Sequence, residues 1–307
     1  MRVNASYRTT SLIVILIGII VSSATAQQMP QFSQFMYNNL VINPAYAGGD
    51  GALSLTVLHR SQWTGVDNAP STQSFSAHTL VKKKQIGLGL TVMRDRIGVH
   101  KNTNILSNYA YHIYLKEHSI LSMGLQVGIT NLKSDYASLA GTPLDPKLVN
   151  SINETMLDFG AGIYFRSPRL HIGLSSPGLL ARTVSLNDTL SVNFQKANLL
   201  GYLRSTFTLG DAFEMEPAVM LKLFKGLPAS FDINLNFIYK KVLTAGLSYR
   251  TKESIDMILK FQLTRQLQFG YAYDHPVNYA AKLSNASHEL MLNFIFRNFE
   301  NQVASPR

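Results

Sequence analysis

The sequence predicts an all-β chain closed into a transmembrane antiparallel up-and-down β-barrel of about 14 strands, with short periplasmic turns and longer extracellular loops. Three observations carry that reading. Apolar residues recur at every second position in segment after segment, the spacing that puts one greasy face on a strand. The segments are joined alternately by tight turns and longer polar loops for most of the chain. The chain also opens with an export leader.

The leader comes first. Arg2 and Arg8 give a positive start, Leu12 to Val21 is a short apolar run, and Ala24-Thr25-Ala26 is a small-residue cleavage site. Residues 1–26 therefore read as a signal peptide, with Gln27 the first mature residue. Residues 27–50 mix aromatics and amides without clear period. They are expected as a periplasmic N-terminal segment with a short helical turn around Phe35–Leu40. Asn43-Pro44 and Gly48-Gly49 are turn signals within it.

Residues 51–297 are expected to form the barrel, with 298–307 as a C-terminal tail. Leu53, Leu55 and Val57 open the first strand, and Thr72–Val81 the second, after a polar stretch at Ser61–Pro70. Lys82–Gln85 reads as a basic turn. A third strand alternates Ile86, Leu88, Leu90 and Val92 with Gly87, Gly89 and Thr91. Asp95–Lys101 reads as a loop, Asn104–Leu115 as the fourth strand, Lys116–His118 as a turn, and Leu121–Ile129 as the fifth. A long connection is expected over Leu132–Glu154. Leu157–Phe165 and Leu170–Leu174 follow around a turn at Arg166–Arg169. A second long connection spans Ser176–Thr189. The remaining strands read as Asn193–Thr208, Phe213–Phe224, Ala229–Tyr239, Val242–Tyr249, Ser254–Leu263, Gln266–Tyr273 and Ser287–Phe296. In the last, Leu290, Leu292, Phe294 and Phe296 share one parity. It is expected to close the ring on the first. Tyr239, Tyr249, Phe261, Phe269, Tyr271 and Tyr273 are candidates for interfacial aromatic girdles.

Composition narrows the function. Of 307 residues 46% are hydrophobic, yet mean hydropathy is only +0.04, which excludes a bundle of membrane helices. There is no cysteine, so neither disulfides nor cysteine–zinc sites exist. The formal charge is +10. Lys82-Lys83-Lys84, Lys240-Lys241, Arg166 and Arg169 sit at turns rather than interleaving with aromatics on one element. Nucleic acid is therefore not expected as a partner, and anionic outer-membrane lipids are. No His-Glu-x-x-His and no Gly-x-Ser-x-Gly occurs, so no enzyme, cofactor or metal site is expected. Asp158 is far in sequence from the adjacent His288-Glu289, and they meet only if the barrel juxtaposes them.

About 14 strands enclose more space than side chains alone fill. The lumen is expected to hold loops, the Gln27–Gly49 segment or a partner's polypeptide. Gly87/Gly89 and Gly160/Gly162 fall on the polar face, where bare backbone leaves room for an inserted segment or eases curvature.

The candidate partner-binding residues lie near strand ends. Trp63, the only tryptophan, and Asp67 stand in the first long loop; the loop either contacts a partner or folds into the lumen. Arg94, Asp95 and Arg96 bind a charged segment or form a solvated rim or a lumenal ion network. Asp274 and His275 carry the same pair of readings.

Four stretches resemble the PorP/SprF family. They are Gln31–Gly48 (Q-F-S-Q-F-M-Y-N-N-L-V-I-N-P-A-Y-A-G), Arg60–His78 with its Trp-Thr-Gly and Ala-Pro-Ser-Thr-Gln-Ser, Ile86–Gly98, and Tyr271–Phe294. The resemblance spans almost the whole mature chain and is thinnest over Leu132–Gly226. It implies an outer-membrane component of the type IX secretion system of Bacteroidota. On that resemblance the chain works with periplasmic secretion components. It docks or anchors a large secreted protein, such as an adhesin of gliding motility, at the cell surface through that protein's C-terminal sorting domain. The alternative is a passive or gated, porin-like transporter for small or hydrophobic solutes.

Overall fold

The computed structural model describes residues 31–81, 85–116, 118–136, 151–179, 182–187, 190–195, 198–282, 284 and 286–296. The expected leader, the C-terminal tail, most of the basic turn after the second strand and the middle of the Leu132–Glu154 connection lie outside them.

Fourteen antiparallel strands form one closed ring. They are β1 (Leu53–Ser61), β2 (Ser71–Val81), β3 (Ile86–Ile97), β4 (His100–Tyr114), β5 (Ile120–Ser134), β6 (Ile152–Arg166) and β7 (Leu170–Ser176). Then come β8 (Asn198–Ser205), β9 (Phe213–Phe224), β10 (Ser230–Tyr239), β11 (Leu243–Arg250), β12 (Ser254–Gln262), β13 (Leu267–Pro276) and β14 (Ser287–Phe296). Each strand pairs with its sequence neighbour, and β14 closes on β1 over nine registered pairs, from Leu53 opposite Phe296 to Ser61 opposite His288. Closure leaves no unpaired sheet edge along this seam, a requirement for strands in hydrocarbon.

The two-residue period sorts the faces. On β10, Phe231, Ile233, Leu235 and Phe237 point outward and Asp232, Asn234 and Asn236 are buried inward. On β14, Leu290, Leu292 and Phe296 are exposed while Glu289, Met291 and Asn293 are buried. The outward face is thus a greasy band and the inward face is polar, the reverse of a soluble sandwich. All six aromatics expected at the interfaces take outward positions.

Three segments differ from the sequence-based expectation. Asp95–Lys101 is not a loop: β3 and β4 stay paired through Arg94–Thr103, Asp95–Asn102 and Arg96–Lys101, and only Gly98-Val99 turns. The residues there are polar because these strands rise above the apolar band, not because they leave the sheet. Likewise β5 and β6 extend to Ser134 and from Ile152, pairing end to end, which shortens the connection between them. The strand expected over Asn193–Thr208 is two elements. Arg182–Asn187 and Leu190–Gln195 form a separate two-stranded hairpin, and β8 starts only at Asn198.

The expected periplasmic segment lies inside the barrel over its described residues, 31–50. It runs through a 3-10 turn at Phe35–Tyr37, a single α-turn at Asn39–Ile42 and a second 3-10 turn at Pro44–Tyr46. Phe35, Met36, Leu40, Ala45 and Ala47 are all almost wholly buried. One helical turn does lie near the expected Phe35–Leu40.

The closing seam gives the first prediction. Phe296→Asp places a carboxylate on the outward face of β14 and removes the edge-on ring contact with Phe294, whose centroid lies 4.6 Å away. A charge near the interface costs up to about 1 kcal/mol and the lost ring pair about 0.5–1.5 kcal/mol, so a loss of roughly 1–2 kcal/mol is expected. It should appear as a smaller heat-modifiable, folded fraction on refolding into vesicles, compared with Phe296→Leu.

Candidate functional site

The candidate site is built around the lumen and the segment that fills it. The plug enters β1 at the rim of tight turns, and its first described residue, Gln31, sits at the level of the opposite, long-loop rim. There Gln31 Oε1 accepts from Lys222 Nζ at 2.6 Å, and its amide donates to Glu253 at 3.3 Å.

Ser33 and Gln34 are held by a buried charge network. The Glu289 carboxylate accepts both backbone amides, one on each oxygen, at 2.9 Å. Ser33 Oγ donates to Asp274 Oδ2 at 2.7 Å and accepts from Arg60 at 2.9 Å and Arg250 at 3.2 Å. Arg60 Nη1 lies 2.6 Å from Asp274 and 3.2 Å from Glu289. Arg250 reaches Asp232 at 3.5 Å and Asp256 at 3.6 Å, and Lys222 lies 2.8 Å from Asp232. Arg60, Lys222 and Arg250 thus interleave with Asp232, Asp256, Asp274 and Glu289, all nearly sealed from solvent. Buried ions endure only when partners replace the lost water. Here the charged groups come from seven strands, β1 and β9–β14, and the plug itself adds further partners.

A second cluster grips the middle of the plug. Lys260 Nζ sits 4.0 Å over the Tyr37 ring, a cation–π contact. Arg204 donates to the Met36 carbonyl at 3.4 Å and to His171 Nε2 at 3.0 Å. A guanidinium only donates, so His171 Nε2 is the acceptor and Nδ1–H faces the Tyr164 hydroxyl 3.1 Å away. Phe35 packs edge-on against Tyr202, and Tyr202 stacks on Tyr164.

The Asn-Pro-Ala-Tyr-Ala-Gly stretch docks on bare backbone. Asn43 Oδ1 accepts from Ala45 N at 2.9 Å, capping the turn that Pro44 begins. Asn43 Nδ2 donates to the carbonyls of Ile163 and Leu174, bridging β6 and β7. A Cβ at Gly162 would strike Asn43, one at Gly124 would strike Ala45, and one at Gly87 the Ala47 carbonyl. The inward glycines therefore clear a track for the plug. Gly160 is different: a Cβ there meets Gln126 and Pro177 instead. His112 Nε2 lies 2.9 Å from the Ala47 carbonyl, and Gly48, at φ +75°, donates its amide to His78 Nδ1. The Tyr46 phenol donates to Asp50 at 2.8 Å.

The residues singled out in the sequence separate into two places. Asp274 belongs to the lumenal network. Asp95 turns inward and bonds Thr72 at 2.5 Å. Trp63, Arg94 and Arg96 share an outer cleft of about 450 Å³ at the long-loop rim, with Asn68, Ser71 and Gln73. Trp63 is 39% exposed and stands at φ +51°. Its loop is stapled to the segment before β14 by Thr64 N to the Ala286 carbonyl at 2.9 Å, and its own amide donates to Ser287 Oγ. The loop therefore does not fill the lumen. Asp67 is exposed on the same loop, and His275 is exposed on β13, away from the cleft. Asp158 and Glu289 do not meet: Asp158 engages Thr130, Glu289 the plug, and His288 faces outward to Tyr271. Sequence reasoning missed Ser33, Arg60, Lys222, Arg250 and Glu289 as a unit. The available signal was their inward parity on strands whose other face is greasy.

The family model described as type IX secretion system membrane protein PorP/SprF matches residues 24–294. No curated protein matches the chain. Among solved structures, a Pseudomonas aeruginosa FadL homologue superposes with a TM-score of 0.50 at 11% identity, covering 88% of this chain and 95% of that one. The CymD monoaromatic hydrocarbon channel gives 0.50 at 12% identity, covering 88% and 94%. At such identities the likeness is one of fold.

The clamp on Ser33 and Gln34 is testable. Glu289→Ala removes the acceptor of two amides and one partner of Arg60, a loss in the range of 3–5 kcal/mol for a broken buried pair. Hydrogen exchange at Ser33 and Gln34 should then accelerate on the order of 100-fold while β1–β14 amides stay protected. Unchanged exchange there would show that the plug is held elsewhere.

Proposed function

This chain belongs to the PorP/SprF family of type IX secretion system membrane proteins, and we propose that it is a closed docking barrel of the outer membrane. Its long-loop rim holds a secreted protein, such as an adhesin, by the C-terminal sorting domain, and its tight-turn rim meets periplasmic secretion components. One observation carries this reading: the lumen is filled by the chain's own N-terminal segment. A conduit for a polypeptide or a solute needs that space. Emptying it would strand Arg60, Arg250, Lys222 and Lys260 without their plug contacts and uncover the glycine track. The rims remain available. The exposed Trp63, its backbone amide tied to Ser287, is the kind of aromatic that anchors protein interfaces. The porin-like alternative requires the plug to move.

Two measurements test the proposal. In planar bilayers the intact protein should be silent, and deletion of residues 27–48 should open stable channels. Photo-crosslinkers should separate the rims: one at Trp63 should capture a secreted protein carrying a type IX C-terminal domain, and one at Lys241 should capture periplasmic components. Stable conductance of the intact barrel, with no secreted protein captured at Trp63, would favour the transporter.

A further inference from the structure

The outward face carries its charge in one place. Among the described strand residues, the outward positions of β1, β2 and β6–β14 hold no Lys, Arg, Asp or Glu. Those of β3, β4 and β5 hold four charges, all positive: Arg94, Arg96, Lys101 and Lys133. The register sets three of them in a row, Arg96 opposite Lys101 and Lys101 opposite Lys133, with Arg94 two residues from Arg96 on the same face. None makes an ion pair among the described residues. Arg96 has one long hydrogen bond, 3.4 Å to Asn68.

Like charges directly opposite across an antiparallel pair are destabilising. The same chain gives the lumenal cations Arg60, Lys222 and Arg250 carboxylate partners, so the bare row is not a general habit of the sequence. The row also sits at a fixed level on these strands. Following the outward positions of each strand toward mid-barrel, Arg94 is next to Val92, Lys101 is followed by Thr103 and Ile105, and Lys133 by Asn131 and Ile129. At about 3.3 Å per residue, each cation lies roughly 7–14 Å from the apolar band, which is head-group depth. Adjacent strands are about 4.8 Å apart, so Arg96, Lys101 and Lys133 span some 10 Å. Guanidinium forks match phosphate oxygens two at a time, and lysines at this depth extend along apolar surface to reach them.

We propose that Arg94, Arg96, Lys101 and Lys133 form a binding site for a phosphate-bearing lipid of the outer leaflet, its acyl chains lying on Val92, Ile105 and Ile129 and its head group reaching toward the Trp63 cleft. The lipid supplies the anions that the row lacks. The outer leaflet follows from placing the long-loop rim outside the cell, as in the proposed function. The lipid chemistry does not depend on that placement, and the test uses the purified protein alone.

The protein in mild detergent is titrated with bisphosphorylated lipid A, with lipid A stripped of both phosphates, and with inorganic phosphate, and bound lipid is counted by native mass spectrometry. The intact protein should retain lipid A, with affinity falling as salt rises. The variant R94Q/R96Q/K101Q/K133Q should bind at least 10-fold more weakly and lose most of the salt dependence, whereas K240Q/K241Q at the opposite rim should bind as the parent does. Heat-modifiable migration verifies that both variants are folded. Equal binding by the fourfold variant, or of dephosphorylated lipid, would overturn the site. Inorganic phosphate binding as tightly as lipid A would overturn the lipid assignment.

Discussion

A ring of 14 strands encloses a space that inward side chains do not close, and the fold depends on filling it with backbone. A plug of residues 31–50 brings peptide groups as well as side chains into the interior, and each buried N–H and C=O needs a partner. The wall supplies them. Glu289 takes two successive amides, Ser175 Oγ donates to the Ile42 carbonyl, Arg204 to that of Met36, and His112 meets that of Ala47. The polar inner face is therefore shaped for a peptide and is not merely wet.

The same constraint accounts for two features that otherwise look unrelated. Inward Gly87, Gly124 and Gly162 face the Asn-Pro-Ala-Tyr-Ala-Gly stretch, because there the plug touches the wall directly, and Gly270 makes the same room beneath Gln34. Charged side chains line the half facing Ser33, because there the plug stands off and long side chains must reach it. Close approach selects small residues, and distance selects Arg, Lys, Asp and Glu. The interleaved signs of that network offset the cost of burying each ion.

Much of this was legible in the sequence. Alternation on segments such as Phe231–Phe237 gave the strands and the sense of the faces, and the even count implied closure of Ser287–Phe296 on Leu53–Ser61. Bare glycines at Gly87 and Gly162 already pointed to an inserted segment. What was not legible has a physical cause in each instance. The plug has no period because it packs on all sides, so Phe35, Met36, Asn38 and Asn39 are buried alike. Asp95–Lys101 reads as a loop because above the bilayer a strand no longer needs an apolar outer face. Asp274 reads as a rim residue from sequence, and only closure of the ring brings it to Arg60, more than two hundred positions away.

The two faces of the barrel then play different parts. Inward charge is balanced, since its task is to hold a segment of the same chain in one arrangement. Among the described strand residues, outward charge is unbalanced and confined to three adjacent strands, which an isotropic lipid environment gives no reason for. For the closed docking barrel proposed above, the surfaces are what remain for partners to read. The long-loop rim joins an exposed tryptophan to a cationic row on the lipid face. A protein held at Trp63 would meet the head groups gathered beside it, and lipid and protein contacts would reinforce one another at a single edge of the ring.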